Sequence, residues 1–170
     1  AVATSFAVIS AAPSLASAAS AAPTTRQCIA APTSSGAAPA MTCFATFAAA
    51  IAAATGGRVE LGTDAAPGSL TPDQLNAGAG PLTSVIIGVD YTGTSYTGSS
   101  LTWFQSAGCG SYTASSMPTG WNDVVSSVAT YSGCGSTLYQ NINFGGTTSS
   151  VGVNASKSTL GSFNDQASSQ

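Results

Sequence analysis

The sequence has no histidine and little charge of either sign: 5% of its 170 residues are charged, three basic and six acidic. An average globular domain carries roughly 25%. So few Lys and Arg side chains do not neutralise a row of phosphates, which excludes a nucleic-acid partner. Without His, a Ser or Cys nucleophile lacks its commonest general base. His-based zinc and copper sites are excluded too, leaving oxygen or sulfur ligands for any metal. A carboxylate pair for glycoside hydrolysis would have to come from Glu60, Asp64, Asp73, Asp90, Asp123 or Asp165. Their spacing singles out no pair, so an enzyme is not expected. No C-x-x-C pair occurs, which removes zinc ribbons and thioredoxin-like motifs. Downstream of the first 25 residues there is no apolar run long enough to span a membrane.

What is present is an uncharged surface vocabulary of Ser, Thr, Gly, Asn and Ala, together with four cysteines. Both point to an extracellular protein. Pairing of nearest neighbours, Cys28 with Cys43 and Cys109 with Cys134, keeps each bridge inside one segment; buried free thiols are the other reading. Residues 1–21 read as the remnant of a secretory leader, with Ala-Ser-Ala at 19–21 as a cleavage site. Residues 22–83 then read as an Ala/Pro-rich arm, a helix over about 42–55 and a loop. Thr42 is the expected cap, Gly56-Gly57 the stop, and Phe44, Phe47 and Ile51 an apolar stripe. This stripe either covers another part of the chain or mediates self-assembly. A short helix is expected from Pro72 to Asn76.

From Ser84 the period changes to that of strands. "SVIIGVDY", "SSLTWFQS", "SSVATYS", "STLYQNINF" and "TSSVGVN" follow at short spacing with Gly-rich turns. Val85, Ile87, Val89 and Tyr91 are expected on one face. The pattern predicts a mainly β sandwich. Two frames recur within it. Aromatic, four residues, aromatic, one residue, Gly occurs at Tyr91, Tyr96 and Gly98 and again at Tyr139, Phe144 and Gly146. N-D-x-x-S-S occurs at 122–127 and 164–169, each time after an aromatic frame. Taken by themselves, the aromatics pack across a tight hairpin and the following Gly takes a positive φ. The Asn-Asp pair makes a turn in which short polar side chains bond the local backbone.

Together these four matches resemble the βγ-crystallin family, whose Greek keys each carry the aromatic frame and whose microbial members carry the polar frame as a calcium signature. The resemblance covers 84–170, with Greek keys at about 84–134 and 135–170. It extends to secreted actinobacterial proteins and to Streptomyces-type metalloproteinase inhibitors of the same fold. It implies a βγ-crystallin-like Greek-key β-sandwich binding two Ca2+ ions. In each frame the second residue's carboxylate serves one ion, while the third residue's carbonyl and the fifth residue's hydroxyl serve the other. Carried over, Asp123 and Asp165 supply carboxylates, Ser126 and Ser168 hydroxyls, and Val124 and Gln166 carbonyls; Thr94 and Ile142 add hairpin carbonyls. Asn122 and Asn164 are expected to form turns. A secreted calcium-binding module is the expected function. The alternative is a peptidase inhibitor that presents residues 109–120 to an extracellular protease. The resemblance also implies a final strand after the second Ser-Ser, and it is expected to be missing or very short.

Overall fold

The computed structural model describes residues 24–33, 37–77, 84–106, 108–110 and 113–170. The leader expected over 1–21 lies outside them. The protein is a mainly β Greek-key sandwich. Its strands are β1 (Gln27–Ala30), β2 (Met41–Phe44), β3 (Val85–Tyr91), β4 (Ser100–Gln105), β5 (Ser127–Thr130), β6 (Ser136–Asn141), β7 (Gly145–Val151) and β8 (Ser156–Lys157). Two α-helices, α1 (Phe47–Ala54) and α2 (Pro72–Ala77), precede β3.

The first sheet runs in the order β2-β1-β4-β3-β5-β8. The second is built on the β6–β7 pair. Backbone hydrogen bonds extend the second sheet by two short segments. Tyr139 N donates to Ser169 O (2.9 Å) and Ser168 N to Tyr139 O (2.8 Å). Ala114 and Gln170 exchange a pair of bonds (2.7 and 3.0 Å), and Met117 N reaches Ser168 O (2.8 Å). The order is therefore β7, β6, residues 167–170, residues 113–117. Each repeat thus gives its third strand to the other's sheet: β8 pairs with β5, and 113–117 pairs with 167–170. The final strand is short but present, bonded on both sides.

The alternation expected of β3 fails at one residue. A bulge lies between Ile86 and Gly88, and it shifts the side-chain parity. Val85 and Ile87 join the core between the sheets, with Leu101, Trp103, Trp121 and Leu138. Val89 and Tyr91 turn to the opposite face with Ile86. All seven residues of β3 are buried.

That opposite face is covered by the N-terminal region. Instead of an arm, residues 27–30 and 41–44 form strands. β1 lies parallel to β4 and occupies the edge that β4 would otherwise present. Cys28 and Cys43 sit opposite each other in the β1–β2 ladder and are bridged (S–S 2.06 Å). Cys109 and Cys134 form the other bridge. The helix starts at Phe47 rather than near 42, because Thr46, not Thr42, caps it by accepting from Ala49 N. Phe44 consequently belongs to β2. Gly56 and Gly57 end the helix region as expected, with φ of 62° and 80°. Eight residues do not sustain a helix in water. α1 depends on packing Phe47, Ile51 and Ala54 against Ile86, Val89, Tyr91, Ala129 and Tyr131. Burying Phe47 and Ile51 contributes about 1.5–3 kcal/mol each. The stripe therefore covers the first sheet and is not free for self-assembly. Tyr91 and Tyr131 also donate their hydroxyls to the carbonyls of Pro67 and Leu70 (3.2 and 3.1 Å), tying the following loop down.

Candidate metal-binding turns

The two aromatic frames form matching hairpins. Tyr91 and Tyr96 meet edge to face with centroids 5.6 Å apart, and Tyr139 and Phe144 do so at 5.5 Å. The chain folds back through left-handed residues in both: Ser95 and Tyr96 in one, Asn143 and Phe144 in the other. Gly98 and Gly146 follow with φ of 82° and 78°. A Cβ on Gly98 would stand 2.5 Å from Thr92 Oγ1, so conformation and space both require glycine there.

The polar frames lock onto these hairpins through their last serine. Ser127 Oγ donates to Gly93 O (2.6 Å) and accepts from Tyr96 N (3.0 Å). Ser169 Oγ donates to Asn141 O (2.7 Å) and accepts from Phe144 N (3.1 Å). This two-sided staple was not read from the sequence, although the second Ser of each frame was its signal. Thr94 and Ile142 lie on the stapled hairpins, beside 126–127 and 168–169 respectively.

Asp123 and Asp165 occupy the left-handed region, with φ of 54° and 56°, which Asp tolerates better than most residues. The two frames are crossed. Asp123 N donates to Ala167 O and Asp165 N to Val125 O, both at 2.9 Å. Ser168 Oγ lies 3.1 Å from Asp123 Oδ1, and Ser126 Oγ lies 2.8 Å from Asp165 Oδ1. Each carboxylate therefore meets the hydroxyl of the other repeat. Such separations match neighbouring oxygens around an ion that is held at about 2.3–2.6 Å by six to eight ligands.

The neighbours divide the work. Asn164 Oδ1 accepts from Leu160 N (2.8 Å) and so holds a turn, as expected. Asn122 also lies in a turn with Asp123 and donates to Asp123 Oδ2 (2.6 Å). Gln166 accepts at its side-chain oxygen from Gln140 Nε2 (3.1 Å). Val124 is half-buried against the inner core. Among the described residues no three Asp, Glu or Cys side chains cluster.

Within the stretch that an inhibitor would present, residues 113–117 are not a free loop. Ala114 and Met117 are buried, and their backbone is bonded into the second sheet.

A buried carboxylate lies away from both turns. Asp90 is fully buried and accepts from Trp103 Nε1 (2.7 Å), while its Oδ1 has no partner. Burial pushes its pKa up to about 7, against the smaller downward pull of the Trp103 hydrogen bond. The sequence signal was an Asp inside an apolar strand.

No protein-family model and no curated protein matches this chain. Solved structures do. One comes from work on the evolution of the eye lens βγ-crystallin domain fold: 21% identity over 49% of this chain and 80% of that one, TM-score 0.40. A βγ-crystallin from an archaeon matches at 20% identity over 50% and 95%, TM-score 0.39. The chain is also similar to a βγ-crystallin domain from Flavobacterium johnsoniae, at 26% identity over 49% and 89%, TM-score 0.36.

Proposed function

We propose that this protein is a secreted calcium-binding module of βγ-crystallin type, in which the ion stabilises the fold. Residues 84–170 form the ion-binding unit. The observation that carries the reading is the crossed pairing of Asp123 with Ser168 and of Asp165 with Ser126. One ion would be held by Asp123, Ser168 Oγ and the carbonyls of Gln166 and Ile142. The other would be held by Asp165, Ser126 Oγ and the carbonyls of Val124 and Thr94. Bound calcium would supply positive charge that draws these oxygens together across the two repeats.

One carboxylate per ion leaves half of its charge unbalanced, so the sites are weak, with dissociation constants on the order of 10⁻⁵ to 10⁻³ M. Outside a cell, where calcium is millimolar, weak sites still fill. At 100 times its dissociation constant an ion adds about 2.7 kcal/mol of stability. The two disulfides suit the same oxidising compartment. Titration calorimetry on the oxidised protein is expected to find two ions per chain, with melting temperature rising as calcium is added. Absence of binding at millimolar calcium would leave the two frames as structural turns.

A further inference from the structure

The turn that leads into each polar frame is built twice, 42 residues apart. Trp121 N donates to Pro118 O (2.9 Å), and Phe163 N donates to Leu160 O (3.1 Å). Asn122 and Asn164 follow these bonds at equivalent places, yet their side chains do different things. Asn164 Oδ1 accepts from Leu160 N (2.8 Å) and from Thr159 Oγ1 (3.3 Å), which holds the carboxamide in its own turn. In the first repeat the residue in the place of Leu160 is Pro118, which has no N–H to offer. The Asn122 carboxamide turns the other way and donates to Asp123 Oδ2 (2.6 Å).

The two carboxylates are therefore engaged unequally. Asp123 accepts at both oxygens, from Ser168 Oγ at Oδ1 (3.1 Å) and from Asn122 at Oδ2. Asp165 accepts from Ser126 Oγ at Oδ1 (2.8 Å), and among the described residues nothing donates to its Oδ2. Both Asp side chains are exposed, so burial does not cause the difference. A carboxylate binds calcium through one oxygen or through two. Hydrogen bonds to an ionised oxygen are of the stronger kind, and an ion that takes Asp123 Oδ2 has to break one.

We infer that the two calcium sites are unequal: the Asp165–Ser126 site fills first, and Asn122, turned onto Asp123 because Pro118 lacks an amide, weakens the other. The inequality rests on the calcium-binding function proposed above. With a single carboxylate per ion, its second oxygen is a large part of what each site can offer. Asp165 offers both oxygens, whereas Asp123 offers one freely. Asn122 adds little order in exchange. Ser168 Oγ and the Asp123 N–Ala167 O bond already fix Asp123, as Ser126 Oγ and the Asp165 N–Val125 O bond fix Asp165. The expected difference in affinity is several-fold, up to about tenfold.

An NMR titration of the oxidised full chain with calcium chloride, read beside calorimetry, tests this. The Val125 and Ala167 amides follow the carbonyls of Val124 and Gln166 and so report the Asp165 and Asp123 ions separately. Val125 is expected to shift at lower calcium than Ala167. Asn122→Ala removes the competing N–H, and Pro118→Ala restores a backbone donor for the Asn122 carboxamide. Each is expected to move the Ala167 transition several-fold towards lower calcium and to leave that of Val125 in place. Asn122 is exposed, so its variant is expected to fold, and melting curves check both. Two ions that bind the wild type with equal affinity would overturn the inference and leave the calcium function standing. So would an Asn122→Ala variant whose Ala167 transition stays put or moves to higher calcium. Absence of any binding at millimolar calcium would overturn the function itself, and the inference with it.

Discussion

The two repeats share a backbone plan, yet position for position they live in different surroundings. Val89 of β3 corresponds to Thr137 of β6, 48 residues on. Val89 packs under α1, whereas Thr137 is half-exposed. Tyr91 is 1% exposed beneath the same cover, while its counterpart Tyr139 is only partly buried. Inside the sandwich the contrast reverses: Asp90 occupies the place that Leu138 fills in the second repeat. The N-terminal region accounts for the outer difference. It adds two strands and a helix to the first sheet, and that sheet's outward residues became apolar to receive them. Among the described residues no such cover lies on the second sheet, whose outer face carries Thr and Ser. One fold thus holds a sheet buried on both faces and a sheet buried on one.

Tyr91→Ala against Tyr139→Ala tests this contrast most severely. Tyr91→Ala opens a cavity under the helix and frees the Pro67 carbonyl, so urea denaturation should show a loss of ~3–5 kcal/mol. Tyr139→Ala removes a half-exposed ring and should cost about half as much. Equal losses would mean that α1 adds nothing to the burial of the first sheet.

Asp90 against Leu138 gives the next effect, read through pH. Folded Asp90 keeps its proton up to about pH 7, whereas the unfolded chain releases it near the ordinary value of 3.8. Between these values the native state binds more protons, so stability falls as pH rises, by up to ~1.4 kcal/mol per unit. It is fully present below the lower value and levels off above the upper one. Asp90→Asn should abolish the slope while still bonding Trp103. Asp90→Leu, which copies the second repeat, should also abolish it, but at a cost of about 1–3 kcal/mol for the stranded indole N–H. A wild-type stability profile that is flat across the window would contradict the buried-acid assignment.

The last of these effects concerns the cover's fastening. Replacing both Cys28 and Cys43 with Ser opens a bridge across 15 residues and should cost ~3 kcal/mol. Hydrogen exchange should then quicken in β1 and β4 and stay unchanged in β6 and β7. Uniform acceleration would mean that the two sheets do not differ in how they are held.

The sequence made the repeat legible because its signals are local. A Gly forced to positive φ, an aromatic pair across a hairpin and an Asn-Asp turn are each dictated by a few neighbouring residues. The strands from Val85 onward, the short helix at Pro72 and both bridges were readable for the same reason. What escaped it was non-local. Met41–Phe44 carries an Ala-rich helix's flank, and only the free edge of β4 makes it a strand. The bulge in β3 depends on its partners β4 and β5, so the alternating pattern misassigned Val89 and Tyr91. Residues 113–117 look like a loop until 167–170 supply the hydrogen bonds. At the turns, the resemblance implied both the candidate residues and their sharing between repeats; the structure adds that Asp123 meets Ser168 and Asp165 meets Ser126.

That crossing is the central claim, and calcium stoichiometry in four single variants tests it directly. If each ion is shared between the repeats, Asp123→Ala and Ser168→Ala should impair the same ion, so their double variant should still bind the second. Asp165→Ala and Ser126→Ala should form the other such pair. The doubles Asp123→Ala/Asp165→Ala and Ser126→Ala/Ser168→Ala should lose both ions. Titration calorimetry that instead finds Asp123→Ala/Ser126→Ala retaining one intact ion, with Asp123→Ala/Ser168→Ala losing both, would place each ion within a single repeat and contradict the account.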